Sequence, residues 1–196
     1  MYGIFDNGQI IGVFTAPMSI RSNQPVFVAD TLSLSRKGAL RGAQRWEIET
    51  AIRPETMDAN LLMVHLVTRG YTTPIDVLMP QNIGVIGKRT ATAAVIGAAA
   101  AGATSVTITA PGGLIPQGTF VRFASHTKVH MTTADISAAG ALPIYPALPA
   151  AVTASVMNYL DDVILKALYD TDVISGMTYT DGMLQDPGVV RLVEAI

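Results

Sequence analysis

Residues 45–53, RWEIETAIR, decide the fold class because their apolar and polar side chains alternate. One face of this stretch carries Trp46, Ile48 and Thr50, and the opposite face carries an arginine, two glutamates and an alanine. In a strand, successive side chains point to opposite sides, so a period of two indicates one buried and one exposed face. The stretch therefore predicts a half-buried strand with a charged outer side, in which Trp46 belongs to the core.

Short runs of β-branched and aromatic residues predict further strands on both sides of this one. They lie at 10–14, 25–29, 73–79, 105–109, 119–123, 128–132, 142–145 and 189–196. The Asp181-Gly182 pair predicts a hairpin within 176–184. Gly38 and Gly42 are expected to interrupt regular structure between residues 32 and 45. Residues 156–170 fit either a helix or a strand, and this choice stays open.

A single short helix is predicted between residues 54 and 70. Pro54 suits the first helical turn, and Gly70 suits the position just past the last one. Apolar residues recur between them at helical spacing, as two sets: Met57, Leu61 and Val64, and Leu62 and Leu66.

The composition changes near Lys88 and divides the chain into two parts. From there to about residue 155, short strands recur every ten to fourteen residues and are separated by Gly-rich and Ser-rich turns, which is typical of a small antiparallel barrel or sandwich. We therefore expect a mainly β chain with one domain formed by residues 1–87 and 156–196 and an inserted β subdomain formed by residues 88–155.

The low charge content points to an assembly. Charged residues make up only 14% of the 196 residues, against about 25% in an average soluble domain. Either a membrane or neighbouring chains would cover so apolar a surface. The longest run of apolar or glycine residues, 93–103, has eleven members, whereas a membrane-spanning helix needs about 20. We therefore expect a stable assembly and no membrane, and the net charge of −2 argues against specific nucleic-acid binding.

Charge is also distributed unevenly along the chain. Residues 36–53 contain five basic and two acidic side chains, a net charge of +3, whereas residues 161–196 contain two basic and seven acidic ones, a net charge of −5. Such surfaces suit head-to-tail contacts between copies in a ring, although the pairing could equally lie within one chain. The candidate subunit-interface residues are Arg36, Lys37, Arg41, Arg45, Asp170 and Asp172.

Motifs for catalysis, cofactors and metals are missing, so we expect no enzyme activity, no cofactor and no metal. The chain has no cysteine and no nucleophile elbow, phosphate loop or zinc-binding helix. His126 and His130, if both lie on one strand, would be about 13 Å apart, too far for one metal ion. Asp181 and Glu194 are the only carboxylates that could form a glycosidase pair, and nothing in the sequence places them together.

Three segments resemble tail and baseplate proteins of tailed bacteriophages. The run Arg41-Gly42-Ala43-Gln44-Arg45-Trp46-Glu47 resembles an R-x-x-Q-R-W-E strand of that group. Residues 118–123, 128–130 and 144–148 are similar to its β-rich insertion, and residues 179–184 and 192–194 are similar to its C-terminal part.

This resemblance implies a tube-type β-sandwich or barrel with an inserted β subdomain, in a distal-tail or tube-initiator-like protein. It also implies a ring, commonly hexameric, at or near the end of the tail tube, which would connect the tube to baseplate or hub proteins. Such a protein is assembled in the host cytoplasm and resides in the virion, and DNA could pass through the ring. Two other functions remain open: a tail-associated hydrolase, and a receptor- or carbohydrate-binding module.

Overall fold

Two closed antiparallel barrels contain most of the strands in the computed structural model. The structure describes the whole chain except residues 1, 31–35, 41–42, 55–58, 92–94, 110, 160–161, 171–177, 181–182, 187 and 196. Among the described residues, no helix is long and apolar enough to span a membrane.

The first barrel joins the N-terminal and C-terminal parts of the chain. Its strand order is β1-β2-β5-β16-β13-β6, and β6 pairs with β1 to close it. The strands are β1 Gly3–Asp6, β2 Gln9–Asn23, β5 Arg45–Pro54, β6 Ile75–Leu78, β13 Ile164–Tyr169 and β16 Val189–Glu194. The alternation predicted for residues 45–53 is confirmed, because every second residue of β5 is buried.

The second barrel is formed by strands between residues 95 and 158. Its order is β10-β11-β8-β7-β12-β9, and β9 pairs with β10 to close it. The strands are β7 Val95–Ile96, β8 Ser105–Ile108, β9 Phe120–Phe123, β10 Val129–Thr132, β11 Gly140–Tyr145 and β12 Ser155–Asn158. The predicted fold class, mainly β with a barrel and a second β unit, is confirmed.

Among the described residues, two hairpins and two helices, one helix more than predicted, lie outside the barrels. The hairpins are β3 Val26–Asp30 with β4 Arg36–Leu40, and β14 Thr178–Thr180 with β15 Met183–Asp186. The second of these is the hairpin predicted around residues 181 and 182, although the two turn residues themselves lie outside the described residues. The helices are α1 Ala59–Thr68 and α2 Ile83–Lys88.

Several local predictions are wrong. Pro54 does not open a helix but ends β5, where it pairs with Gly12. Gly38 does not interrupt regular structure, because it pairs with Val28 inside the β3–β4 hairpin. The choice left open for residues 156–170 is resolved in favour of strands, namely β12 and β13. Hydrogen bonds to neighbouring strands outweigh helical spacing there.

Helix α1 packs on the first barrel with only one of its two predicted stripes. Leu62 and Leu66 are fully buried, and a Cβ atom added at Gly12 of β2 would lie 2.8 Å from Leu62 Cδ1. Because Gly12 has no side chain, α1 can pack closely against β2. Leu61 and Val64 instead remain 42% and 51% exposed, so the outer face of α1 is apolar.

The barrels have separate cores that meet at one place. Ile96, Ile108 and Phe123 belong to the core of the second barrel, and Ile48 and Leu192 belong to that of the first. Residues from β9, β10 and β11 nevertheless pack against the core of the first barrel: Phe120, Val129, Met131 and Tyr145. The barrels therefore share a packed junction.

Candidate functional site

The β3–β4 hairpin forms an apolar ribbon at the end of the β2–β5 strand pair. β2 and β5 stay paired as far as Asn23 and Arg45, and among the described residues β3 and β4 then form a separate two-stranded sheet. Val26, Phe27 and Val28 are 49%, 57% and 48% exposed. A two-stranded hairpin is only marginally stable in water. Val26 and Val28 share one face of the ribbon and Phe27 lies on the other, and exposed apolar patches are typical of contact surfaces. This ribbon, residues 26–30 and 36–40, is therefore a candidate assembly surface.

The structure places four of the six candidate interface residues. Arg36 and Lys37 lie on the ribbon, opposite Asp30 and Ala29. Arg45 begins β5 and is exposed, and Asp170 follows β13 and is exposed. Arg41 and Asp172 lie outside the described residues.

Arg45 and Asp170 are not brought together within one chain. The backbone amide of Asp170 donates to the carbonyl of Arg191 at 3.0 Å, and Arg191 pairs with Glu49 of β5. Glu49 lies four residues beyond Arg45 along the same strand, which corresponds to about 13 Å. A contact between Arg45 and Asp170 of different copies stays a prediction.

An ion pair joins the basic and acidic segments inside the chain without reducing their charge asymmetry. Glu49 accepts hydrogen bonds from Arg191 at 3.2 Å and from Arg21 at 3.4 Å, beside a surface depression of about 220 Å³ that Asp170 also lines. The carboxylate here comes from the basic segment and one guanidinium from the acidic segment. The arginine side chains are more than half exposed, so each pair contributes only about 0–1 kcal/mol.

A charged pair is buried where the two barrels meet. The Lys128 ammonium forms an ion pair with Glu194 and donates to both the backbone carbonyl and the side-chain oxygen of Gln44 at 2.6 Å. The other Glu194 oxygen accepts from the Val129 amide at 2.9 Å, and the Trp46 amide donates to the first oxygen at 3.1 Å. The three ammonium protons and both carboxylate oxygens therefore have partners. We call these five residues the buried junction.

Aromatic packing surrounds the buried junction. The Trp46 indole donates to the Val129 carbonyl at 2.8 Å. Its ring meets those of Phe120 and Tyr145 edge-on, at centroid distances of 5.2 and 6.4 Å. Burial lowers the pKa of Lys128, and the Glu194 carboxylate opposes that change. The prediction that Trp46 belongs to the core is confirmed.

Glu194 is consequently not available to a substrate. Only 2% of the residue is exposed, and both of its carboxylate oxygens are occupied. Asp181, its proposed glycosidase partner, lies outside the described residues. The geometry assigns Glu194 to the contact between the barrels.

The distance expected between His126 and His130 is wrong. His126 lies in the turn after β9 and not on the strand, so its ring comes within 5.3 Å of the His130 ring, centroid to centroid. His130 Nδ1 lies 2.8 Å from the Pro146 carbonyl oxygen. Burial lowers the pKa of both residues, that of His130 to about 4. Within the described part of the chain, no group of three or more potential metal ligands forms.

No local pattern in the sequence could have identified the buried junction. Lys128 is separated from Gln44 by 84 residues and from Glu194 by 66. A lone lysine beside a predicted strand and a lone glutamate near the end of another are ordinary surface residues by sequence. Only the folding of the two barrels brings them together.

The sequence matches no protein-family model and no curated protein.

Proposed function

We propose that this protein is a structural component of a bacteriophage tail or baseplate. In this proposal it forms a ring, hexameric as the resemblance implies, at or near the end of the tail tube and connects the tube to baseplate or hub proteins. The observation that carries the proposal is the exposed apolar ribbon beyond the first barrel. Val26, Phe27 and Val28 supply a surface that another chain would cover.

A second exposed apolar surface supports an assembly. The outer face of α1 exposes Leu61, Val64 and Val67, which are 42%, 51% and 60% accessible. These residues recur every three positions and thus form one apolar stripe. A chain with two separate apolar surfaces suits a heterologous contact, in which one surface of a copy meets the other surface of the next and a ring closes.

Substitutions on the ribbon test the proposal. We expect native mass spectrometry of the wild-type chain to show a ring, and we expect Val26→Ser combined with Val28→Ser to shift it towards monomer, because the contact loses apolar area. Val156→Ser is the matched control, since Val156 is 60% exposed on the second barrel, away from the ribbon. A wild-type chain that stays monomeric even with its tail partners present would contradict the proposal.

A further inference from the structure

The base of the ribbon is held by side chains of the second barrel. The ribbon root comprises Ser22, Gln24 and Gln44, which lie where β2 and β5 lead into β3 and β4. Tyr145 of β11 and Lys128, which immediately precedes β10, approach this root from the other barrel. Side chains of the second barrel therefore contact both chain segments at the base of the ribbon.

The contacts form one continuous chain of hydrogen bonds. The Tyr145 hydroxyl donates to Gln24 Oε1 at 2.8 Å and lies 3.1 Å from Ser22 Oγ. Gln44 Nε2 donates to the same Ser22 oxygen at 3.1 Å, and both Gln44 oxygens accept from Lys128 at 2.6 Å. Both chain segments that lead into the ribbon are thus tied to the second barrel.

The hydrogen bonds that join these residues are compatible with one another. If the Tyr145 proton goes to Gln24, the Ser22 hydroxyl is free to donate to Tyr145 while it accepts from Gln44. The Gln44 amide orientation follows, because its oxygen faces the Lys128 ammonium and its nitrogen faces Ser22. Because these donor and acceptor assignments agree with one another, the network favours one geometry over its alternatives.

We infer that Tyr145 and Lys128 are positioning residues that fix the direction of the ribbon. Five paired residues per strand give the ribbon a length of about 17 Å, so a rotation of about 10° at its root would move its tip by about 3 Å. Such a displacement is enough to separate packed side chains from a partner surface. The second barrel thereby controls whether the ribbon can reach a neighbouring copy. Its effect on assembly rests on the proposed function, whereas the positioning itself does not.

Hydrogen exchange of the ribbon amides at low protein concentration tests the positioning, because a ribbon released at its root behaves as an isolated two-stranded hairpin, whose pairing is only marginally stable. Tyr145→Phe removes the hydroxyl and retains the ring against Trp46, and Ser22→Ala removes the oxygen that Tyr145 and Gln44 share. Loss of one such hydrogen bond should accelerate exchange at residues 26–30 and 36–40 about fivefold. Exchange of β8, inside the second barrel, should stay unchanged in both variants.

A matched control separates this effect from a general loss of a tyrosine hydroxyl. Tyr71→Phe removes the hydroxyl of a ring that packs against Tyr169, far along the chain from the ribbon, and should leave ribbon exchange as in the wild type. Unchanged ribbon exchange in both Tyr145→Phe and Ser22→Ala would overturn the inference. Faster exchange in a chain that never forms a ring would support the positioning and contradict the proposed function instead.

Discussion

At the scale of single residues, the buried Lys128–Glu194 pair should be far more sensitive to substitution than an exposed one. Lys128→Met leaves the Glu194 charge buried without its partner, so we expect the free energy of unfolding to fall by about 3–5 kcal/mol. Arg21→Met, which removes one of the two exposed arginine partners of Glu49, should cost less than about 1 kcal/mol. Urea unfolding measures both values. Equal losses of unfolding free energy would show that the buried pair stabilises the fold no more than the exposed pair does.

The low pKa of His130 makes stability depend on pH. Burial is its main cause, and it is assisted by His126 and Lys128 and opposed by the hydrogen bond to Pro146; the pKa falls from 6.5 to about 4. The folded state therefore favours neutral His130. Its contribution to stability is complete above pH 6.5 and disappears as the pH falls towards 4.

His130→Gln should accordingly reduce the loss of unfolding free energy between pH 7 and pH 4.5 by roughly 2–3 kcal/mol. Urea unfolding of the variant and the wild type at both pH values measures this difference. Carboxylates contribute to both proteins alike and cancel in the comparison. An identical pH dependence of the two proteins would contradict the low pKa.

At the scale of elements, the end of α1 depends on how closely it approaches β13. Gly70 has a φ of +91°, and a Cβ atom there would lie 2.1 Å from Tyr169 Cε2. Gly8, in the β1–β2 turn, has a φ of +88° but no atom within 4 Å of such a Cβ. An alanine would be strained at either position, but only at Gly70 would its Cβ also collide with a neighbouring side chain.

We expect Gly8→Ala to lower the unfolding free energy by about 1–2 kcal/mol, from the left-handed conformation alone. Gly70→Ala should lower it by about 1–3 kcal/mol more, because the Tyr169 ring must also move. Thermal or urea unfolding of the two variants gives the comparison. If the Gly70→Ala protein is as stable as the Gly8→Ala protein, the Tyr169 ring moves aside with no loss of unfolding free energy.

At the scale of the whole molecule, the first barrel closes through its own strands alone, so it should fold without residues 88–155. The side chain of Arg89 donates to the Tyr159 carbonyl at 3.1 Å, so a short Gly/Ser linker can join the flanks, and loop length itself costs little. The protein that lacks residues 88–155 should be less stable than the full chain, because the excision exposes Trp46 and Glu194 to solvent.

Trp46 is the only tryptophan, so its fluorescence reports on the excised protein directly. We expect red-shifted emission, because the indole loses Phe120, Tyr145 and Val129, together with a cooperative unfolding transition. An excised chain without β circular dichroism would contradict the prediction that residues 88–155 form a separable subdomain.

Local chemistry determined much of the fold. The alternation in residues 45–53 identified β5 and its buried face, and the Asp181-Gly182 pair located the β14–β15 hairpin. The regular strands and turns after Lys88 identified a second β unit. Each of these features depends on residues a few positions apart, so a short stretch of sequence contains the whole cause. Asn7-Gly8, which turns β1 into β2 with positive φ values of 47° and 88°, carries the same kind of information and could have been predicted too.

Tertiary structure decided what local patterns could not. Strand pairing placed Pro54 and Gly38 in sheets, and the turn after β9 brought His126 next to His130. The junction between the barrels paired Lys128 with Glu194. These outcomes depend on partners brought together by chain closure and on burial that only the packed barrels create. No periodicity in the sequence indicates which distant residues will come into contact. Contacts of this kind form almost the whole candidate site.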